Sequence, residues 1–474
     1  MLERRSRPGG RAFVYEQDGF RFDGGPTVIT APFLFEELWG LLGKKLSDDV
    51  ELLPVAPFYR IRLSDGEWFD YCQDPKQMRD QVARLSPGDV DGYERFLKLS
   101  EEIYKVGFEQ LAHVPFSSWT DMASIIPKMM KLKSYRTVYG LVSSFIKDER
   151  LRQVFSFHPL LVGGNPFDTT SIYSLICHLE RAHGVWFPRG GTGALVQGLV
   201  NLIESHGGSV RCDAAVDKVI VENGRARGVL MEGGERRDAD IVVSNADSAW
   251  LYTHMLEDDV PRHWTPKRVA KAKFSMSLFV WYFGTNKKFD DIAHHSILLG
   301  PRYRELLDDI FNKKVLADDF SLYLHRPTAS DPSLAPEGHD AFYVLSPVPD
   351  LDSGVDWEVH AEQYRKKIAQ HLEDTLMPGL QDSIVSSRML TPVGFRQDLL
   401  SLKGAAFGMR PVLTQSAYFR PHNQTDVDGL YLVGAGTHPG AGVPGVLSSA
   451  RVLDELVPTV GRQLAAPAGA DHAA

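Results

Sequence analysis

A glycine-rich run near the end of the chain constrains the fold more than any other feature of the sequence. The apolar stretch Tyr431–Val433 leads directly into GAGTHPGAGVPGV at 434–446. Small residues let the backbone approach a bound ligand closely, and Pro444 suits the first turn of a following helix. We therefore predict a buried strand, a tight turn and a helix that begins beside a ligand.

A helix start of this kind favours negative charge. Its first N–H groups have no partner within the helix, and the helix dipole places about half a positive charge there. A phosphate or a reduced flavin would suit such a position. An ordinary turn between a strand and a helix is the alternative interpretation.

Two further glycine clusters accompany the closing run. Glu3 precedes PGGR at 8–11 and DGGPT at 23–27, and an acidic residue in the position of Glu3 binds ribose hydroxyls in a Rossmann unit. GGTG at 190–193 precedes a predicted helix that starts at Thr192, and the strand after it could offer the backbone of Val219 to an adenine. Plain turns are the alternative for both clusters.

Composition narrows the functional classes. Lys and Arg number 52 against 61 Asp and Glu, a net charge of -9, which argues against a nucleic-acid partner. The three cysteines lack CxxC spacing, and His178 and His183 lie five residues apart on different helix faces, so we predict no metal site. No apolar run approaches the roughly 18 residues that span a bilayer, and no secretory signal is recognisable. We expect a cytoplasmic protein.

Several long stretches resemble bacterial-type phytoene desaturases, carotenoid-forming FAD enzymes of the amine-oxidase-like flavoprotein superfamily. They cover nearly the whole chain and are PGGRAFVYE, FDGGPTVIT, ELLPVAPFYR, SFHPLLVGGNPF, GVWFPRGGTGALVQG, AHHSILLGPRYRELLDDIFN, VLTQSAYFRPHN and YLVGAGTHPGAGVPGV. The resemblance implies an α/β fold with a Rossmann-like FAD-binding domain, a mixed α+β substrate domain and a helical membrane-contact region.

The resemblance also implies an order of segments, with the FAD-binding domain formed by three separate stretches of chain. These are an incomplete first stretch at 1–70, a second at 181–250 and a third at 411–463. The helical substrate and membrane-contact region lies between them at 71–180, the substrate domain lies at 251–410, and a disordered tail follows at 464–474.

A set of FAD contacts follows from the same resemblance. The N-terminal and central contacts are Glu3, Gly9, Gly10, Arg11, Gly25, Pro26, Thr27 and, on the adenine side, Val219. The contacts near the ribityl chain and the isoalloxazine are Gly434, Gly436, Val443, Pro444 and Val446.

The reaction that the resemblance implies desaturates phytoene toward lycopene, two hydrogens at a time. A hydride leaves an allylic carbon for the flavin, and a weak base takes a neighbouring proton. Asp121 and His438 are the candidates for that base. Asp121 could instead cap a short helix, and His438 could instead stabilise the turn.

The implied substrate, a hydrocarbon of about forty carbons, points to a membrane surface. Transfer from water at about 0.8 kcal/mol per carbon would exceed any known non-covalent affinity, so the substrate must come from lipid. The segment 119–146 mixes Met and Ile with basic residues and suits a peripheral contact, although a helix packed on the core is the alternative. We expect the protein on the inner face of the cell membrane and leave a homo-oligomer open.

One departure from the family affects the cofactor. Its members carry a strand and a G-x-G-x-x-G turn before the residue that matches Glu3, and this chain shows no such segment. We expect the first strand and helix of the FAD-binding domain to be missing. We also expect this chain to bind FAD weakly or not at all, because the pyrophosphate lacks its helix start.

Two alternatives remain at this stage. One is another carotenoid-acting flavoenzyme, an isomerase or an oxygenase, or else an amine oxidase, for which no aromatic pair is evident. The other is a non-catalytic carotenoid-binding protein that retains no FAD.

Overall fold

The structure, a computed structural model, describes residues 1–458, which form sixteen strands and fifteen α-helices. The strands are β1 (Val14–Gln17), β2 (Phe20–Asp23), β3 (Leu52–Pro54), β4 (Tyr59–Arg62), β5 (Trp68–Tyr71), β6 (Trp186–Pro188), β7 (Val216–Glu222), β8 (Arg225–Met231), β9 (Arg236–Asp238), β10 (Val242–Ser244), β11 (Ser277–Thr285), β12 (His295–Leu298), β13 (Leu322–His325), β14 (Asp340–Val348), β15 (Ile384–Leu390) and β16 (Leu430–Leu432). The helices are α1 (Pro32–Leu41), α2 (Pro75–Leu85), α3 (Val90–Tyr104), α4 (Trp119–Lys131), α5 (Val138–Val142), α6 (Glu149–Ser156), α7 (Leu175–His183), α8 (Thr192–Ser205), α9 (Ser248–Trp250), α10 (Pro266–Lys271), α11 (Tyr303–Asp308), α12 (Trp357–Thr375), α13 (Leu380–Ser383), α14 (Pro392–Leu399) and α15 (Val443–Leu456).

A seven-stranded sheet forms the largest layer, in the order β15-β11-β14-β13-β12-β4-β5. Neighbouring strands are antiparallel except for the parallel pair β12 and β4. Strand β11 is buried along its whole length, which explains its nearly unbroken apolar sequence. Helix α12 covers one face of the sheet through contacts such as Phe279 against Trp357, and the other face belongs to the main hydrophobic core.

Parallel pairing occurs at two further places. The amide of Glu3 donates to the carbonyl of Arg211 at 2.8 Å, in a parallel bridge next to Leu2. Strands β10 and β16 form a separate parallel pair, with Val242 opposite Leu430. Within residues 1–458 these two pairs are not hydrogen-bonded to each other, and both contribute to the wall of one large cavity.

The local predictions for the middle of the chain are confirmed. Helix α8 covers Thr192–Ser205 and is followed by Gly207 in the left-handed region, at φ 82°. Strands β7, β8 and β9 form an antiparallel sheet, and the Asn223-Gly224 turn joins the first two with both residues at positive φ.

The mixed α/β fold class is confirmed. The predicted segment boundaries stay predictions. Strand β4 of the segment 1–70 and strand β5 at the end of that segment both belong to the seven-stranded sheet and do not form a layer of their own. The tail at 464–474 lies outside the described residues. Across residues 1–458, no helix is both long enough and apolar enough to cross a bilayer.

Candidate active site

One cavity of about 1750 Å³ lies between the parallel strand pairs, the seven-stranded sheet and helices α4, α8 and α15. It exceeds the roughly 300–1,000 Å³ of an ordinary small-molecule site. Its wall includes every residue that the sequence assigns to the cofactor: Glu3, Gly9, Gly10, Arg11, Gly25, Pro26, Thr27, Val219, Gly434, Gly436, Val443, Pro444 and Val446. Tertiary folding therefore brings both ends of the described chain to a single site.

The glycine turn after β16 forms the tightest region of this wall. Gly434 has φ 93°, and a Cβ atom there would lie 2.4 Å from Nδ2 of Asn245. A Cβ atom at Gly436 would lie 2.9 Å from the backbone nitrogen of Ser248. Helix α15 begins directly after the turn, with Gly442 before its first residue. Residues 443–447 at its start line the cavity, so a ligand there would lie beside the helix start.

A buried arginine holds this turn in place. Arg420 is 1% exposed, and its Nε and Nη2 atoms donate to the carbonyls of Thr437 at 3.0 Å and Ala435 at 2.8 Å. The Ser449 hydroxyl, from the second turn of α15, accepts a bond from the Gly434 amide at 2.8 Å. The turn is thus fixed by side chains from outside it.

The N-terminal segment forms the opposite side of the site. The Glu3 carboxylate accepts a bond from the Arg5 amide at 2.9 Å, and Gly10 is left-handed at φ 54°. Arg11 donates to the carbonyl of Ala406 at 2.7 Å and to the Ser401 hydroxyl at 2.9 Å. Burial lowers the pKa of Arg11, and the nearby carboxylate of Asp247 opposes this shift in part.

The segment around Gly25 packs against this side. A Cβ atom at Gly25 would lie 2.6 Å from the carbonyl oxygen of Arg11, so only glycine lets the two segments touch. The Thr27 hydroxyl lies 2.7 Å from the Tyr343 hydroxyl, which ties the segment to the seven-stranded sheet. Val219, at 3% exposed, belongs to the buried wall near β10.

His438 is a polar group in an otherwise apolar region of the wall. Its ring is 5% exposed and lies edge-on to Phe116, with the ring centroids 5.1 Å apart. Among the described residues neither ring nitrogen has a hydrogen-bond partner of good geometry. Burial lowers the pKa of His438 to about 3, so the ring is neutral at ordinary pH. The backbone of Leu111 opposes this lowering of the pKa in part.

Asp121 occupies a different position. Its carboxylate accepts a bond from the amide of Ser118 at 3.1 Å, and the Ser118 hydroxyl accepts one from the Asp121 amide at 3.2 Å. This pair is a capping box at the start of α4, and it is the neighbouring Met122 that lines the cavity. The structural role is therefore observed, and the catalytic role of Asp121 stays a prediction.

Two buried carboxylates on the cavity wall were missed by the sequence reasoning. Asp23 accepts bonds from the amide and the hydroxyl of Thr192, at 2.9 and 2.8 Å. Glu180 accepts a bond from the Tyr59 hydroxyl at 2.6 Å and contacts His158 at 3.2 Å. Asp23 belongs to the DGGPT stretch, but the hydrogen-bond partners of both acids are distant in sequence, so no local pattern indicated their roles.

Comparison with known proteins places the chain in a family. A family model described as flavin containing amine oxidoreductase matches residues 1–452. The chain belongs to this family of flavoproteins. A lycopene-forming phytoene desaturase of Pantoea ananas is 50% identical over 96% of this chain and 93% of its own length. A neurosporene-forming phytoene desaturase of Rhodobacter capsulatus is 43% identical over 97% of this chain and 89% of its own length. The resemblance drawn from the motifs is confirmed.

Solved structures confirm the fold of this flavoprotein family. Cyclohexylamine oxidase from Brevibacterium oxydans superposes with a TM-score of 0.57 at 14% identity, over 96% of this chain and 93% of that one. An oxidoreductase from Methanosarcina mazei gives a TM-score of 0.59 at 19% identity, over 96% and 93%.

The residues present fit a flavin. Gly434 and Gly436 line the cavity without side chains, so a flat ring system could lie directly against their backbone. The start of α15 offers N–H groups and positive potential, and the unpaired nitrogens of His438 offer a further polar contact. Glu3 stands on the opposite side, where the sequence reasoning places the ribose.

Substitution of Gly434 by Ala tests the turn. We expect at least a roughly five-fold loss of retained flavin after desalting, because the new methyl group would meet Asn245 and the backbone would have to leave φ 93°. Flavin absorbance per protein, with circular dichroism to check folding, measures the effect. Gly338→Ala is the matched control, because Gly338 has φ 77° and open space around its Cβ position; equal losses in both variants would contradict the expectation.

The ionisation of Asp23 predicts a pH dependence of stability. Burial raises the pKa of Asp23 to about 6 from its ordinary value of 3.8. Between these values the folded state binds more protons than the unfolded chain, so the free energy of unfolding falls as the pH rises through that window.

In Asp23→Asn this fall disappears, while the Oδ1 acceptor for Thr192 is kept. Relative to the wild type, the free energy of unfolding of the variant should rise by up to about 3 kcal/mol between about pH 4 and pH 7. This magnitude follows from the size of the pKa shift. Urea unfolding of the flavin-free protein at each pH measures it. Parallel curves for the two proteins would show that Asp23 does not titrate in this range.

Proposed function

We propose that this chain is an FAD-dependent phytoene desaturase that converts phytoene toward lycopene by removing two hydrogens in each step. The observation that carries the proposal is the main cavity, which joins the glycine turn at 434–442 to a long apolar wall. Family membership and relatives that are named phytoene desaturases at up to 50% identity support it.

The apolar region of the wall suits a hydrocarbon. It includes Phe108, Leu111, Phe116, Met122, Ile125 and Met129, from the helical segment that precedes and includes α4. A hydrocarbon offers no hydrogen-bonding groups, so recognition depends on shape and on exclusion of water. The cavity has the volume for a dinucleotide and a long hydrocarbon together.

The chain contributes positioning and proton transfer to this reaction. FAD, when bound, supplies the two-electron oxidation that turns CH2–CH2 into CH=CH. The start of α15 and the turn at Gly434 orient the flavin, and the apolar wall keeps water from the reacting carbons.

His438 is our candidate for the group that receives the proton. Its two ring nitrogens are unpaired, buried and on the cavity wall. Burial lowers the pKa of His438 to about 3, so the ring enters the reaction neutral and with a free lone pair. A weak base is sufficient, because a proton beside an electron-deficient allylic carbon leaves readily.

Expression in a phytoene-accumulating host tests the reaction. We expect coloured products with more conjugated double bonds, lycopene or neurosporene, because each step removes two hydrogens. Pigment extraction and chromatography with mass detection measure them. Unchanged phytoene would contradict the proposal, and a colourless phytoene isomer of unchanged hydrogen count would identify an isomerase instead.

Helix α4 supports a proposed contact with the membrane surface. Met122, Ile125 and Met129 on one side line the cavity. On another side Trp119, Ile126 and Met130 are 55%, 42% and 57% exposed. A group of exposed apolar side chains on one helix face is typical of a surface that contacts a membrane or another protein.

The same helix separates the cavity from the outside. Leu413, which is 40% exposed, also lines the cavity, so the wall reaches the surface beside α4. Lys128 and Lys131 are exposed on the helix and add attraction to anionic headgroups. We propose that phytoene passes from lipid into the cavity at this helix, with the protein peripheral on the inner face of the membrane.

Charge reversal tests the contact. Lys128→Glu with Lys131→Glu should weaken sedimentation with anionic liposomes by roughly ten-fold or more, at about 1 kcal/mol for each basic residue near the surface. Sedimentation at several lipid concentrations measures it. The control reverses Lys366 and Lys367, two exposed lysines of α12. If both pairs of substitutions have the same effect, α4 is not the docking helix.

A further inference from the structure

Three histidines lie close together at strands β12 and β13 of the seven-stranded sheet. His295 begins β12 and His325 ends β13, directly opposite each other in the antiparallel register, and His294 precedes β12. The side chains of His295, His325 and His294 are 0%, 0% and 6% exposed. One nitrogen from each ring lies within 4.8 Å of the corresponding nitrogen of the other two.

The hydrogen bonds of these rings leave several nitrogens without a partner. Nδ1 of His295 lies 2.7 Å from the Tyr323 hydroxyl and 3.3 Å from Nδ1 of His325. A neutral imidazole nitrogen carries either one proton or one lone pair, so it cannot serve both neighbours well. Within the described residues the Nε2 atoms of His294, His295 and His325 have no hydrogen-bond partner. Buried polar atoms are rarely left in this state.

We propose that His294, His295 and His325 form a binding site for a divalent transition-metal ion of the zinc type. Imidazole nitrogens bind Zn²⁺ at about 2.0–2.1 Å in tetrahedral geometry, which places two ligand nitrogens about 3.3 Å apart. The Nδ1 atoms of His295 and His325 lie at that separation, 3.3 Å. Three histidines are a complete protein ligand set for a zinc ion that keeps a fourth position open.

The groups around the cluster are those that orient metal ligands. The Ser330 hydroxyl lies 2.7 Å from Nδ1 of His294, which fixes that ring. The Tyr323 hydroxyl lies 2.7 Å from Nδ1 of His295 and would give up that contact when this nitrogen binds the ion. Arg326 follows His325 in the chain, but it forms ion pairs with Asp290 and Asp340, both at 2.9 Å, which offset its positive charge.

The position of the cluster gives the ion a route and a role. His294 and Ser330 line a second cavity of about 800 Å³, through which an ion could enter. Tyr323 contacts Thr27 at 3.3 Å, and both residues line the main cavity. A bound ion would therefore connect β12 and β13 directly behind the wall of the main cavity. This structural role does not depend on which reaction takes place in the cavity.

Metal analysis of the full-length protein tests the site. Protein purified without a polyhistidine tag should contain about one zinc ion per chain by mass spectrometry of the metals. After removal of the metal, titration with Co²⁺ should produce the visible absorption of a tetrahedral site, and Zn²⁺ should abolish it. Absence of both signals would overturn the proposal and leave a neutral, hydrogen-bonded histidine cluster.

Variants locate the ion. His325→Asn should lose the cobalt signal, while His254→Asn, at an exposed histidine outside the cluster, should keep it. Ser330→Ala, which removes only the partner of His294, should weaken cobalt binding by about 10–100-fold. If His325→Asn does not fold, the Ser330 variant decides, and cobalt affinity equal to that of the unmutated chain would count against the site.

Discussion

The rest of the site depends on the glycine turn at 434–442, where backbone with few side chains forms the cavity wall. A turn with so few side chains has little packing of its own, so other regions of the chain must fix it. Arg420 does so from within the core by donating to two carbonyls of the turn. Asn423 adds bonds to the carbonyls of Leu432 at 3.2 Å and His438 at 3.1 Å. The segment 420–423 therefore supports the turn that lines the cavity.

The cavity divides into two chemical environments. Polar groups on the wall include the partly exposed Arg11 and the buried carboxylates of Asp23 and Asp247. Toward α4 the wall becomes apolar, and the same helix carries apolar side chains on its outer surface. In the proposed function, the charged cofactor would occupy the polar region of the cavity and the hydrocarbon substrate the apolar region, and the two would meet where these regions join.

Local patterns in the sequence predicted much of this arrangement. The strand, turn and helix at 430–456 and helix α8 follow from glycine, proline and apolar spacing, which act over a few residues. The outward face of α4 was less visible, because Met122 and Met130 look alike in a sequence. Only the packing of that helix sends one toward the cavity and leaves the other 57% exposed.

The sequence by itself determined the family, the glycine-rich cradle and the residues expected around a flavin, because these depend on short runs with strict backbone demands. The tertiary structure decided which residues that are distant in sequence lie close together. It brought Glu3 to the cavity that holds Gly434, placed Asp121 in a helix cap rather than on the wall, and set His295 opposite His325, 30 residues away. Pairing of distant strands produces such contacts, and no local pattern records which strands will pair.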